Sequence, residues 1–393
     1  MEHKIRVLFL PKWYPHRYDP MPGLFIQRQA ESLVPFCDVA VIYVHPDPDC
    51  PNRYEVDFSE ENQVRVLRVY FRTGVRSFPL PEKWMNMIQY YRAHMKAYKS
   101  IRQFSPQIVH AHILTRMGWI GWRIGRKYHI PLIISEHWSR YFPENRIWRK
   151  GFHHWATRFV TSRSKALVPV SEMLKTAMKN VGLKHGFMPV VPNVVEPGPP
   201  LCPTGFSGEK KKTILHVSCF EDKSKNISQF LWAIQKLGLA REDFTCFLVG
   251  DGPDFPMAQE YARELGILGT FVNFTGLKTG AEVFGLMYKA DFLVLSSRYE
   301  TFGTVVPEAL SCGIPVVATR VGIVPEVINE TNGIVVPPGD GQALMDAMNQ
   351  MLDRCRQYNR EQIRAGIGNT YSKEVVGRKI YDIYQKILSQ SRK

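Results

Sequence analysis

The chain has 393 residues, of which 45% are hydrophobic and 22% charged, and its formal net charge is +15. This composition excludes a disordered chain, and the length favours two domains of roughly 200 residues over one core. The apolar run near the start is too short for a signal peptide, and no stretch of about 18 apolar residues occurs, so we expect a cytoplasmic protein without a membrane span.

Seven cysteines are scattered through the sequence without a C-x-x-C pair. This pattern argues against a disulfide framework and a structural zinc site, and we expect reduced thiols in the core. The positive charge indicates an anionic partner. Nucleic acid is not favoured, because zinc-finger spacing and an RNP-like aromatic string are missing. The other candidate is an anionic membrane surface, where Lys and Arg contribute about 1 kcal/mol each.

Alternating strand and helix patterns run through the first half of the chain. A strand at 5–10, a loop rich in Pro, Gly and aromatics, and a helix at 24–33 predict the opening of a doubly wound domain. Further strands are predicted at 39–44, 108–112, 132–135 and 166–170.

Two groups of polar side chains in this half could bind metal. Asp47 and Asp49 are one pair, but two prolines and the lack of a further ligand make a poor Mg²⁺ site. His110 and His112 lie on one face of a strand. Without a nearby carboxylate or cysteine, they are better interpreted as a satisfied or cleft-lining pair.

Two segments combine basic and aromatic residues. The segment 82–104 predicts a helix with one apolar stripe, formed by Trp84, Ile88, Tyr91, Met95 and Tyr98. The segment 140–165 has seven Lys or Arg against one acid, together with aromatic residues that include Phe142, Trp148, Phe152 and Trp155. Packing on a core would explain the stripe, whereas an acceptor or lipid surface would explain the cations together with the aromatics.

A Pro-, Gly- and Lys-rich stretch divides the chain. We place a first domain at 1–196, a linker at 197–212, a second domain at 213–370 and a closing helical segment at 371–393. The second domain repeats the strand and helix rhythm. Its strands are predicted at 213–217, 245–249, 272–274, 292–295 and 316–318.

The stretch 296–318 carries the strongest functional signal. A strand leads into a turn that contains Glu300, and a helix is predicted from a Thr304 cap, with Pro307 in its first turn and Glu308 inside it. A helix start at the carboxyl end of a parallel strand can bind an anion. Two carboxylates beside it suit the hydroxyls of a nucleotide sugar.

The string RYETFGTVVPEALSCGIPVVAT resembles the E-x7-E signature of retaining glycosyltransferases of family four. The resemblance implies the α/β GT-B fold, in which two Rossmann-like doubly wound domains face each other across a cleft and a C-terminal helix crosses back to the first domain. It also implies a nucleoside-diphosphate sugar as co-substrate and no metal or other cofactor. Glu300 would then contact the hexose and Glu308 the ribose, and Thr301, Phe302, Gly303 and Thr304 would complete the donor contacts.

The resemblance extends to four further positions. It assigns Gly23 to close backbone approach, His137 to the hexose and acceptor, Lys225 to the diphosphate, and the backbone near Leu277 to the nucleobase. Two positions depart from the family pattern. Cys219 stands where an arginine is expected, for which Lys223 or Arg298 could compensate, and Ile323 replaces a glycine.

We therefore expect transfer of a hexose to a glycan or lipid-linked acceptor in cell-surface polysaccharide assembly. The enzyme would be cytoplasmic, with peripheral contact at the inner face of the plasma membrane through Arg146, Arg149 and Lys150. One alternative is a nucleotide-sugar epimerase of the same fold. The other is a non-catalytic, membrane-associated sugar-nucleotide binder, which the replacement at Cys219 would favour.

Overall fold

A computed structural model of the chain describes residues 4–74, 81–145, 151–199 and 211–391. The chain divides into two compact units. The first comprises Met1–Tyr141, Asn145–Val194 and Lys373–Lys393, and the second comprises Phe142–Glu144 and Val195–Ser372. Most of the predicted linker and the residues Arg146, Arg149 and Lys150 lie outside the described residues.

Within its described residues, the first unit contains a seven-stranded sheet. Its strands are β1 (Ile5–Pro11), β2 (Cys37–Asp47), β3 (Tyr54–Glu61), β4 (Val64–Arg72), β5 (Ile108–His112), β6 (Leu132–Glu136) and β7 (Ala166–Pro169). Their order is β3-β4-β2-β1-β5-β6-β7, and all neighbours are parallel except β3 and β4. The helices are α1 (Leu24–Ser32), α2 (Glu82–Ser100), α3 (Leu114–Tyr128), α4 (Phe152–Arg163) and α5 (Glu172–Asn180).

The hairpin formed by β3 and β4 was not predicted. A turn at Asn62 and Gln63 joins the two strands, and both residues have positive φ, at 48° and 64°. Two-residue hairpin loops require such angles, and Asn tolerates them well. Asn62 between two alternating segments was therefore the signal that could have revealed this edge of the sheet.

Helix α2 was predicted in the right place but with the wrong buried face. The residues it buries are Gln89, Ala93, His94, Ala97 and Tyr98. Of the predicted stripe, Tyr98 is buried and Trp84 is more than half exposed, while the other three residues are half-buried. The helix packs against β2 and β4 through a face that shares only Tyr98 with that stripe.

The described part of the second unit contains a six-stranded, fully parallel sheet. Its strands are β8 (Lys212–Val217), β9 (Phe244–Val249), β10 (Val272–Gly276), β11 (Phe292–Leu295), β12 (Val316–Thr319) and β13 (Gly333–Val336), in the order β10-β9-β8-β11-β12-β13. Its helices are α6 (Asp222–Lys225), α7 (Ile227–Gly238), α8 (Phe255–Glu264), α9 (Ala281–Lys289), α10 (Val305–Ser311), α11 (Val324–Val327), α12 (Gly341–Arg354) and α13 (Arg360–Ile367).

Helices cover both faces of this second sheet. Ile214 and Phe292 belong to the core beneath α7 and α12, while the next residues, Leu215 and Leu293, belong to the core beneath α10. Successive side chains of a strand point to opposite faces, so both faces must be apolar when both are covered. This is the doubly wound architecture that the continuous apolar strands predict.

The C-terminal helix α14 (Lys373–Ser391) belongs to the first unit. It packs on α1 so closely that a Cβ at Gly377 would lie 2.0 Å from the Ser32 carbonyl oxygen. The Tyr384 hydroxyl lies 2.6 Å from His110 Nδ1. The predicted return of this helix to the first domain is confirmed. In the described residues, none of the helices combines the length and apolar character needed to cross a membrane.

Candidate active site

An ion pair lies at the carboxyl end of β11 in the second unit. Lys225 Nζ lies 2.5 Å from Glu300 Oε1, and the Ser297 hydroxyl donates a 2.8 Å hydrogen bond to the same oxygen. The side chains of Lys225 and Glu300 are only 17% and 12% exposed. The structure therefore brings together two predicted site residues that are 75 positions apart in sequence.

The backbone around this pair is held by bonds between α6 and the loop after β11. The Ser296 hydroxyl donates to the Lys225 carbonyl at 2.8 Å, and the Arg298 amide donates to the Ser224 carbonyl at 2.8 Å. The Arg298 guanidinium donates to the Asp222 carbonyl at 2.9 Å. Arg298 thus anchors α6, while Lys223 is exposed.

The local electrostatics keep Lys225 protonated. Burial lowers the pKa of its ammonium group, but the Glu300 carboxylate more than offsets this effect, and the net pKa is raised above the usual value. A permanently charged ammonium at a strand end suits the phosphate groups of a donor. A bound phosphate group would compete with the Glu300 carboxylate for the ammonium group of Lys225.

Two glycines shape the loop that carries Glu300. Gly303 has φ +87° and Gly322 has φ +57°, in the left-handed region that favours glycine. A Cβ at Gly322 would lie 2.3 Å from the Phe302 carbonyl oxygen, which also accepts a hydrogen bond from the Ile323 amide. Phe302 and Ile323 are buried, so these contacts fix the loop from below. The Ile323 side chain is therefore a core residue.

Helix α10 begins at Val305, directly after the predicted cap position Thr304, and carries the half-buried Glu308. The predicted position of the cap is confirmed, but the predicted capping interaction is not. Thr304 occupies the position before the helix, but its φ and ψ are helical and its side chain makes no capping hydrogen bond. The end is as predicted, because Gly313 has φ +72° and its amide donates to the Leu310 carbonyl.

Two other predicted positions follow neighbouring strands. Leu277 comes after β10 and is 55% exposed, and Lys278 beside it pairs with Glu282 at 3.1 Å. Cys219 follows β8 and is exposed, unlike the five other described cysteines, which are buried. Cys219 supplies no cation where the family has an arginine.

His137 lies at the carboxyl end of β6 in the first unit and is buried, with only 6% of the residue exposed. Its Nε2 atom lies 3.4 Å from His112 Nδ1, and its ring centroid lies 4.8 Å from that of Phe25. Burial lowers the pKa of His137 to about 3, so the ring is neutral at pH 7. A neutral imidazole can hydrogen-bond a hydroxyl but adds no positive charge.

Gly23 lies near His137, because α1, which carries Phe25, begins at the next residue. It has φ +74°, and a Cβ there would lie 2.1 Å from the Trp13 carbonyl oxygen. The positive φ and the contact with Trp13 therefore require glycine at position 23, whether or not a ligand binds there. Trp13 contacts Trp138, with ring centroids 5.7 Å apart, so the loops after β1 and β6 are neighbours.

His110 and His112 share a strand face, as predicted, and their ring centroids are 4.3 Å apart. His110 bonds Ser135 at 2.8 Å and Tyr384 at 2.6 Å, so it is a satisfied core residue. Burial lowers the pKa of His110 to about 3 and holds that of His112 well below its ordinary value.

Asp47, which the sequence analysis considered as a metal ligand together with Asp49, belongs to a cluster of hydrogen bonds and ion pairs. Its carboxylate accepts hydrogen bonds from Arg17 at 2.5 Å, from the Tyr18 hydroxyl at 2.8 Å and from the Asp49 amide at 3.0 Å. Arg17 also pairs with Glu55 at 2.7 Å. These bonds give Asp47 a structural role at the end of β2.

The sequence analysis missed Glu136, although it directly precedes His137. Its carboxylate accepts four hydrogen bonds, from the amides of Leu114, His137 and Trp138 and from the Tyr141 hydroxyl. Burial raises the pKa of Glu136, and these donors oppose the shift. An acid directly after a buried strand was the available signal.

Two family models match the chain. Residues 25–198 match the family described as Glycosyltransferase Family 4, and residues 211–354 match the family described as Glycosyl transferases group 1. The chain belongs to the family-four type of glycosyltransferases. Together the two matches include His137, Lys225, Glu300 and Glu308.

Two curated relatives of this glycosyltransferase differ in their sequence identity and in how much of the chain they cover. N-acetyl-alpha-D-glucosaminyl L-malate synthase of Bacillus anthracis is 30% identical over 187 residues, which are 47% of this chain and 48% of that protein. The chain thus aligns with about half the length of that relative. TuaC of Bacillus subtilis, a glycosyltransferase assigned to teichuronic acid biosynthesis, is 24% identical over 381 residues, which are 91% of this chain and 90% of that protein.

Solved structures show that the glycosyltransferase has the GT-B fold. Sucrose-phosphate synthase from Thermosynechococcus elongatus gives a TM-score of 0.77 at 17% identity, covering 98% of this chain and 100% of that one. HepE of Anabaena in complex with UDP gives a TM-score of 0.71 at 17% identity, covering 97% and 100%. At such identities the likeness establishes the fold alone.

Proposed function

We propose that this enzyme is a retaining glycosyltransferase that transfers a hexose from a nucleoside-diphosphate sugar to a glycan or lipid-linked acceptor. The observation that supports the proposal most is the Lys225–Glu300 ion pair at the carboxyl edge of the second sheet. Parallel sheets bind ligands at this edge, and the pair offers a cation for phosphate next to a carboxylate for sugar hydroxyls.

In the proposed reaction, the bond between the anomeric carbon and the β-phosphate oxygen breaks, and negative charge grows on the departing diphosphate. A hydroxyl oxygen of the acceptor forms the new bond to that carbon, and its proton passes to the departing diphosphate. The ammonium group of Lys225 stabilises the growing negative charge. Such electrostatic stabilisation of the transition state is usually the largest single contribution to catalysis. Because Lys225 supplies this charge, we propose that the reaction requires no metal ion. Glu300 orients the hexose, and Glu308 on α10 binds the ribose hydroxyls.

The first unit supports the acceptor side of the proposal. His137 is neutral, and within the described residues its Nδ1 atom makes no hydrogen bond of good geometry, although the Asn193 side chain lies close enough to the ring to raise its pKa. A buried ring nitrogen in this condition can bond a sugar hydroxyl. We propose that His137 binds and orients a hydroxyl of the hexose or the acceptor.

A role in cell-surface polysaccharide assembly is proposed from the relatives. TuaC is named for teichuronic acid biosynthesis, and a further structural neighbour with a TM-score of 0.70 is a lipopolysaccharide outer core galactosyltransferase. HepE has been crystallised with UDP and with UDP-glucose. These names favour a uridine nucleotide donor and a surface glycan acceptor for this enzyme as well.

We also propose peripheral contact with an anionic membrane. Aromatic rings lie next to one another on α2, α3 and α4, with arginines among them. We call this the aromatic–basic face, and its members are Tyr91, Trp119, Trp122, Arg123, Arg126, Trp155, Phe159 and Arg163. Trp155 is 53% exposed. Aromatics at an interface, with cations at the headgroups, are typical of peripheral membrane binding.

The proposed function is tested by incubating the protein with a panel of labelled sugar nucleotides in EDTA, with and without membrane glycolipid extracts. We expect slow hydrolysis of one donor alone and transfer, with the anomeric configuration retained, when acceptor is present. Formation of an epimeric sugar nucleotide without acceptor would assign the protein as an epimerase. Binding without turnover would assign it as a non-catalytic binder.

A further inference from the structure

Four basic side chains converge at the carboxyl edge of the first sheet, where the adjacent strands β1, β5 and β6 end. They come from the residue after β1, the first turn of α3, the turn after β6 and the first turn of α4, and are Lys12, Arg116, Arg140 and His153. Different elements therefore bring basic side chains to the same place, which is unlike an ordinary solvated helix face.

Trp138 organises part of this cluster. Lys12 Nζ lies 3.5 Å from the centroid of the Trp138 ring, and Arg140 Cζ lies 4.7 Å from it. The Arg140 guanidinium also donates to Thr115 Oγ1 at 2.8 Å and lies 3.2 Å from His153 Nδ1. Arg140 is buried, so its orientation is fixed by these contacts.

The cations act on one another electrostatically. Burial, together with the charges of Arg116 and Arg140, lowers the pKa of Lys12 to about 8. Burial also lowers the pKa of His153, and Arg140, Arg116 and Lys12 lower it further. Lys12 and His153 are therefore destabilised as cations by their neighbours, and an anion bound among them would relieve that repulsion.

The protein supplies little negative charge to balance the cluster. Glu136 raises the pKa of Lys12, but its two oxygens already accept four hydrogen bonds. In the described part of the chain, Lys12 and Arg116 form neither an ion pair nor a side-chain hydrogen bond.

We propose that Lys12, Arg116, Arg140 and His153 bind a phosphate or diphosphate group carried by the acceptor. This inference rests on the glycosyltransferase function proposed above and specifies its acceptor class. Guanidinium groups bind phosphate oxygens in pairs, and an ammonium group adds a compact charge. Several cations around one position favour a multiply charged phosphoryl group over a single carboxylate.

The test measures how fast an amine-reactive reagent acylates Lys12 in the intact protein, by peptide mass spectrometry at pH 8. A lysine with a lowered pKa is partly deprotonated at this pH and therefore reactive. We expect inorganic pyrophosphate to slow the labelling of Lys12 by about tenfold, the change for roughly 1.4 kcal/mol of binding. Succinate at the same concentration and ionic strength should have little effect.

Two arginine variants make the test specific. Arg116→Gln changes an exposed side chain, so folding should be retained, while protection of Lys12 by pyrophosphate should fall markedly. Arg65→Gln removes the same charge at the start of β4, at the opposite edge of the sheet, and should leave protection unchanged. Equal protection in both variants, or none in the wild type, would overturn the proposal, as would equal protection by succinate.

A third variant separates this site from the donor site. In Lys225→Gln, protection of Lys12 should persist even though donor turnover is lost, because Lys225 belongs to the second unit. If UDP or pyrophosphate protects Lys12 only when Lys225 is intact, the cluster serves the donor and the inference is wrong. Failure of donor turnover in the wild type would refute the proposed function without changing the protection result.

Discussion

The ammonium group of Lys225 contacts the carboxylate of Glu300 at 2.5 Å, and Ser297 bonds the same carboxylate oxygen. Both side chains are mostly buried at the end of a parallel strand. Glu300 raises the pKa of Lys225, so the carboxylate stabilises the charged form of the ammonium group. The Lys225 ammonium group is therefore charged and held in place before a donor diphosphate binds.

Lys225→Ala should reduce kcat by about 10²-fold or more, because the lysine stabilises charge that develops in the transition state. Steady-state kinetics with the identified donor measure this loss. Lys223→Ala, which changes an exposed neighbour on α6, is the matched control and should be close to wild type. If Lys225→Ala stays active, the diphosphate cation must be sought at Lys223 or Arg298.

Glu308→Ala should raise the KM for the sugar nucleotide with little change in kcat. A hydrogen bond to a charged group contributes about 1.5–3 kcal/mol, and its loss affects ground and transition states alike, which corresponds to roughly a 10- to 150-fold rise. Glu308→Gln keeps the shape and one acceptor and should be intermediate. An unchanged KM in the alanine variant would refute the ribose assignment.

Stability should fall as the pH drops below about 6.5. Burial lowers the pKa of His94 and His216 to about 4 and of His110 and His137 to about 3, whereas an unfolded histidine titrates near 6.5. Between these values the unfolded state binds protons that the folded state excludes. Each histidine therefore lowers the free energy of unfolding by up to about 1.4 kcal/mol for each pH unit of acidification. Above pH 6.5 they contribute no slope.

Urea denaturation at several pH values between 5 and 8 measures this effect. Replacing the exposed His129, whose φ of +56° also suits asparagine, by Asn should leave the slope unchanged. A stability that stays constant from pH 8 to pH 5 would show that these histidines are accessible to protons in the folded state.

Gly322→Ala should impair both stability and donor kinetics. The new Cβ would meet the Phe302 carbonyl oxygen at 2.3 Å and the Glu300 Cβ at 3.0 Å, so the loop must move. Gly339→Ala is the matched control, because its φ of +78° is similar but no atom lies within 4 Å of the added Cβ. Gly339→Ala should lower the free energy of unfolding by about 1–2 kcal/mol, because alanine disfavours the positive φ, and should leave the KM for the donor unchanged.

The enzyme should sediment with vesicles that contain anionic lipid and not with neutral ones. Salt should release it, because a Debye length of about 8–10 Å screens such contacts. Changing Arg123, Arg126 and Arg163 to Ser should weaken sedimentation, whereas Lys236, Lys289 and Arg354 to Ser, which removes equal charge from the second unit, should not. Equal binding to both vesicles, or to neither, would favour a soluble acceptor.

Local patterns in the sequence were sufficient for most of the strands and for the architecture. Short apolar runs such as 292–295 and 108–112 match β11 and β5, because strands covered on both faces need apolar side chains at consecutive positions. The loop with Glu300 and the end of α10 at Gly313 also follow from local signals. These features depend on backbone geometry and burial, which neighbouring residues largely determine.

Contacts between distant segments were decided only by the tertiary structure. Lys225 meets Glu300 because β8 and β11 are adjacent in the sheet, although 75 positions separate the two residues. Lys12 and Arg140 meet over Trp138 because β1 and β6, with β5 between them, end at the same edge of the first sheet. The face that α2 buries was likewise set by its packing partners. Strand order and helix packing result from the free energy of the whole core, which no local window of sequence contains.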